Sequence, residues 1–76
     1  MSFAFQIRPL SLMRGFQLTC DGILPDAQNY PRLFEAIVQA AQLGRDLDGE
    51  IQIFDTTGHL IEALPLHINN PHPVHG

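Results

Sequence analysis

Asp55-Thr56-Thr57-Gly58 lies between two short apolar-rich runs, Glu50-Ile51-Gln52-Ile53-Phe54 and Leu60-Ile61-Glu62-Ala63-Leu64, and this turn commits residues 44–65 to a β-hairpin. A type I turn closed by a left-handed glycine is a common short hairpin connection, and an aspartate at its start accepts a backbone N–H two residues on. The turn also sets an expected register. With Asp55 opposite His59, Ile53 pairs with Ile61 and Ile51 with Ala63, and these four share the face that meets the helix. The other face then carries Gln52, Phe54, Leu60, Glu62 and Leu64. Phe54, Leu60 and Leu64 have no obvious covering element in this arrangement; either the Leu10–Met13 loop or the Leu66–Ile68 segment covers them, or another chain does, and on the second reading they form the candidate contact surface.

Upstream, Phe3, Phe5 and Ile7 alternate with Ala4, Gln6 and Arg8, the period-2 pattern of a half-buried strand that Pro9 ends. Phe16, Leu18 and Cys20 repeat the pattern, and the short link between the two runs suits an antiparallel hairpin. Leu10, Leu12 and Met13 are unusually apolar for such a link and are expected to fold back onto the domain. Asp21-Gly22 and Pro25-Asp26 then turn the chain away from the sheet.

Leu33, Phe34, Ile37, Val38 and Ala41 recur at spacings of three and four, opposite Arg32, Glu35, Gln39 and Gln42, which predicts one amphipathic helix between Asn29 and Gly44. Pro31 suits its first turn, with Asn29 or Tyr30 near the cap, and Gly44 is expected as a left-handed stop. Asp48-Gly49 turns into the next strand. The expected fold is α+β: a four-stranded antiparallel sheet in ββαββ order with the helix on one face. It forms a single domain over residues 1–66, followed by a mobile tail at 67–76, where Asn69-Asn70-Pro71-His72-Pro73 shows no periodicity.

The order Asp21-Gly22, Leu24-Pro25-Asp26, alanine-rich helix, Gly44-Arg45-Asp46-Leu47-x-Gly49, Ile51-x-Ile53-x-Asp55-x-x-Gly58 and Leu64-Pro65 resembles a family of small bacterial domains of unknown function. The likeness spans about residues 20–66, and Glu50 stands where that family usually has a bulkier residue. It implies a ββαββ layout and no activity, because the family has no established catalytic residues.

A domain of 76 residues buries a small core, and chains of this size usually draw support from disulfides, a metal or association. Cys20 has no second cysteine to pair with and reads as a buried apolar residue in a reducing, cytoplasmic setting. Neither a signal-like start nor a membrane-length apolar run occurs. The four arginines are scattered among eight acidic residues, which disfavours nucleic acid and a polybasic membrane anchor.

His72 and His75, with His67 before them, offer imidazoles to a divalent metal, but a structural site needs about four preorganised ligands. Arg45, Asp46, Asp48 and Glu50 crowd one connection without the longer run of oxygen ligands that a calcium loop requires. Ser11 and Ser2 lack a nucleophile frame, and the glycines are spaced as turns rather than as a phosphate loop. No cofactor is indicated. The residues therefore suggest a non-enzymatic interaction module that self-associates, as a dimer, through Phe54, Leu60 and Leu64. A further protein partner is also compatible with that surface, and the alternative is a small-ligand or metal-binding protein using the C-terminal histidines.

Overall fold

Strand β1 (Phe3–Pro9) is the centre of the sheet, and its alternation places Phe5 and Ile7 in the core. The computed structural model describes residues 2–66, with the backbone alone at Met13. A short turn of 3-10 helix (Ser11–Met13) leads from β1 into β2 (Phe16–Thr19), which pairs antiparallel with β1, Ile7 opposite Leu18. Leu10 N–H donates to the Gly15 carbonyl at 2.8 Å and closes that connection. Leu12 does not fold back as expected. It takes a left-handed backbone, φ 58°, and its side chain is 81% exposed.

The Asp21-Gly22 turn forms as its residues suggest, with the N–H groups of Ile23 and Leu24 both donating to the Cys20 carbonyl. Beyond it lies a strand absent from the expected four, β3 (Gln28–Tyr30), antiparallel to β2. Gln28-Asn29-Tyr30 has no apolar alternation, because a three-residue edge strand is held by its backbone and buries little. Its presence changes the sheet. After β2 the chain reverses once more, so the helix returns it to the end where β1 begins, and β4 (Gly49–Phe54) must run parallel to β1. The sheet is therefore mixed and five-stranded, in order β3-β2-β1-β4-β5, with β5 (Leu60–Pro65) antiparallel to β4 at the far edge.

Helix α1 (Leu33–Leu43) packs over β1 to β4 and begins later than expected. Arg32 occupies the N-cap without a side-chain cap bond, and Asn29 and Tyr30 belong to β3. The buried stripe is Ala36 and Ala40, with Leu33, Ile37 and Ala41 beside it, while Phe34 is 72% exposed. Small side chains let the helix backbone approach the sheet closely, and that leaves no room for Phe34 and Val38 on the contact line. Gly44 continues the stripe. Its φ of −100° is not the expected left-handed cap; a Cβ there would lie 2.9 Å from Leu66 and Phe5 side-chain carbons. Glycine is required by space. Leu66, just beyond β5, is itself buried and joins Phe5, Ile7, Leu18, Cys20, Ile51 and Ile53 in the core.

Candidate functional site

The closing hairpin begins as its turn dictates. Asp55 N–H donates to the His59 carbonyl at 2.9 Å, Gly58 has φ 90°, and Phe54 pairs with Leu60. The register then shifts by one. Ile53 pairs with Glu62, Gln52 with Ala63 and Ile51 with Leu64, which leaves Ile61 as the extra residue of a bulge. Neither Ile53–Ile61 nor Ile51–Ala63 is therefore formed. The shift exchanges faces, because side chains alternate with period two: Leu64 joins Ile51 on the core side and packs against it, whereas Ala63 moves to the open side. A larger side chain thus fills the core beside Ile51.

The three candidate contact residues accordingly have different surroundings. Leu64 is half-buried against the core, Leu60 is 51% exposed at the start of β5, and Phe54 is half-covered on the open face. The cover over Phe54 comes from Arg8. Its guanidinium carbon lies 4.4 Å from the ring centroid, because parallel pairing of Ile7 with Ile53 places the two residues that follow on adjacent strands and one face. The alternation of both strands marks Arg8 and Phe54 as outward, but their adjacency follows only from the parallel pairing.

Arg8 also begins a polar chain across the open face. It donates to Gln6 Oε1 at 3.0 Å, Gln6 Nε2 donates to Gln52 Oε1 at 3.2 Å, and Gln52 Nε2 donates to Glu50 Oε2 at 2.7 Å. The open face is mainly hydrogen-bonded amide and charge, as on one-side-covered sheets generally. Its apolar residues lie toward the β5 edge, where Leu60 is joined by Ile61, 59% exposed at the bulge.

Asp55 is committed to the turn. Its Oδ1 accepts from Thr57 N–H and His59 N–H, each at 2.9 Å, and from the Thr57 hydroxyl at 2.7 Å. With that hydroxyl donating to Asp55, His59 Nδ1 donates to Thr57 Oγ1 at 2.6 Å. The Thr57 hydroxyl, followed by the His59 N–H, holds the Asp55 carboxyl below its ordinary range. Cys20 has the opposite shift: burial, reinforced by Asp21, pushes its thiol above the usual value despite a backbone bond at Ala4.

His67, His72 and His75 lie outside the described residues, as does the proposed tail. Among the described residues no three His, Cys, Asp or Glu side chains converge as a metal-ligand group, and no helix is long and apolar enough to cross a membrane. Comparison with known proteins finds no matching family model, no matching curated sequence and no matching solved structure. The likeness of residues 20–66 to small bacterial domains rests on the motifs that suggested it.

Proposed function

We propose that this chain is a non-enzymatic cytoplasmic interaction module that self-associates as a dimer along the β5 edge. The supporting observation is the exposure of Leu60 and Ile61 on a six-residue edge strand outside the helix's main packing area. Edge strands offer unpaired backbone groups to another strand, and soluble proteins usually blunt them with brevity, charge, proline or a bulge. β3 is short, whereas β5 runs six residues, and its blunting features are Glu62, the bulge at Ile61 and Pro65 at its end. Pairing with a second copy would cover Leu60 and Ile61 and extend a core that is small for an isolated chain. In this arrangement Leu60 and Phe54 form the contact, and Leu64 supports it from the core side.

Light scattering of the full chain at high micromolar concentration is expected to give twice the chain mass. Leu60→Asp and, separately, Ile61→Asp are expected to give monomers with native circular dichroism. A wild-type monomer over that range, or a dimer that both variants retain, overturns the reading.

A further inference from the structure

The connections at the C-terminal ends of β1 and β4 meet the start of α1 at one end of the sheet. Between them lies an open cleft of about 530 Å³, lined by Pro9, Leu10, Leu12, Phe16 and Pro31 with the polar Ser11 and Thr56. That volume is within the range of small-molecule sites, about 300–1,000 Å³, and the lining combines apolar walls with a few hydroxyls. Among the described residues that line it, none is charged. One wall is held in an unfavourable conformation, since Leu12 has φ 58° without being glycine.

Charge is segregated along the sheet. Arg8, Arg14 and Arg32, three of the four arginines, belong to the cleft end, each next in sequence to a lining residue, Pro9, Gly15 and Pro31. Asp21, Asp26, Asp46, Asp48 and Glu50 belong to the opposite end. Of the arginines, Arg8 is engaged with Gln6 and Phe54, while Arg14 and Arg32 are exposed. Acidic groups are also present on this half: Glu35 in the first turn of α1, Asp55 next in sequence to the lining Thr56 with its Oδ1 accepting three hydrogen bonds, and Glu62 on β5 opposite Ile53. Pro31 lines the cleft two residues before α1, whose N-cap Arg32 makes no side-chain cap bond and whose first turn, where the dipole favours negative charge, carries Glu35. An apolar hollow with two exposed arginines, Arg14 and Arg32, next in sequence to its lining and with the start of α1 at its margin suits an apolar body with an anionic head.

We propose that this cleft binds a small amphiphilic carboxylate, its hydrocarbon portion against Pro9, Leu10, Leu12 and Phe16 and its carboxylate toward Arg14, Arg32 and the start of α1. The site is separate from the β5 contact, since neither Leu60 nor Ile61 lines it.

The test is an amide-resolved NMR titration of the full chain with octanoate, octanol and octyltrimethylammonium as probes. Octanoate is expected to shift residues 10–16, 32–34 and 56, with octanol binding at least about tenfold more weakly, a difference of about 1.4 kcal/mol. Arg14→Gln combined with Arg32→Gln is expected to bring octanoate down to the octanol level while leaving the remaining spectrum native. Added salt should weaken octanoate and leave octanol unchanged. Equal binding of octanoate and octanol, tighter binding of the cation, shifts centred elsewhere, or no octanoate shifts at millimolar concentration would each overturn the proposal. Full octanoate affinity in the double arginine variant would do the same.

Discussion

Arg8 and Phe54 stack at 4.4 Å across the two parallel strands at the centre of the sheet, and this contact shields an aromatic ring that hairpin alternation alone leaves bare. The guanidinium also donates to Gln6, so one side chain joins the ring to the amide chain of the open face. Arg8→Ala is expected to destabilise the fold by about 0.5–1 kcal/mol, with Arg8→Lys intermediate because it keeps charge but loses the planar fork. Urea unfolding checks the order. Equal midpoints for all three proteins would remove the contact from any stabilising role.

Leu64 and Leu60 should separate folding from association. Leu64 is half-buried against Ile51 and the core, so Leu64→Ala is expected to cost about 1–2 kcal/mol, below the range for fully buried leucines. Leu60→Ala, at an exposed position, is expected to change monomer stability by less than about 0.5 kcal/mol. Denaturant titrations at low protein concentration measure both. The reverse order would restore the unbulged register, with Leu64 on the open face.

Gly44 tests the close approach of helix and sheet. Alanine suits the backbone there, φ −100°, so the cost of Gly44→Ala comes from its Cβ meeting Leu66 and Phe5, and is expected at about 1–3 kcal/mol. Leu66→Ala removes one of the two obstructing side chains. The double variant should therefore be more stable than the sum of the single losses implies, and strict additivity in a double-mutant cycle would show that the two do not meet.

Asp55 makes the hairpin sensitive to acid. Its folded pKa is lower than its unfolded pKa, so its contribution is full above the unfolded value and is lost as pH falls through the folded one. Asp55→Asn is expected to be less stable than wild type at neutral pH, with the difference shrinking below about pH 4. Melting temperatures at neutral and acidic pH check the sign. A gap that widens on acidification would contradict the turn geometry.

Cys20 should be inert while the protein is folded. Burial and a raised pKa keep its thiol protonated and inaccessible, so a disulfide reagent at neutral pH is expected to react slowly, only through opening of the fold, and promptly in denaturant. Rapid native-state labelling would contradict its position in the core.

Alternation in residues 3–8 and 16–20, the 3.6-residue period before Gly44, and the Asp55 turn each identify their elements from sequence. What the pattern conceals has a common physical basis. β3 buries so little that it leaves no apolar signature, yet it reverses the chain and determines that β1 and β4 run parallel. The bulge at Ile61 is similar, since one unpaired residue exchanges Leu64 and Ala63 between faces without altering the composition of the strand. Helix periodicity gave the correct element but misplaced its contact line, because the sheet selects Ala36 and Ala40 for their size rather than for their hydropathy. The candidate surface inherits these differences: Leu60 stays exposed, Phe54 gains a cation, and Leu64 moves to the core side.

The parallel union of β1 and β4 also has a kinetic consequence. The two hairpins, β1 with β2 and β4 with β5, close over short stretches of chain, whereas Gln6 and Gln52 meet across 46 residues. Local pairings can form early, but the junction that unites them requires the largest loop in the fold to close. A chain emerging from its N-terminus must therefore hold β1 without its central partner until about two thirds of the sequence has followed, and during that interval both edges of the unfinished sheet are open to a neighbouring chain.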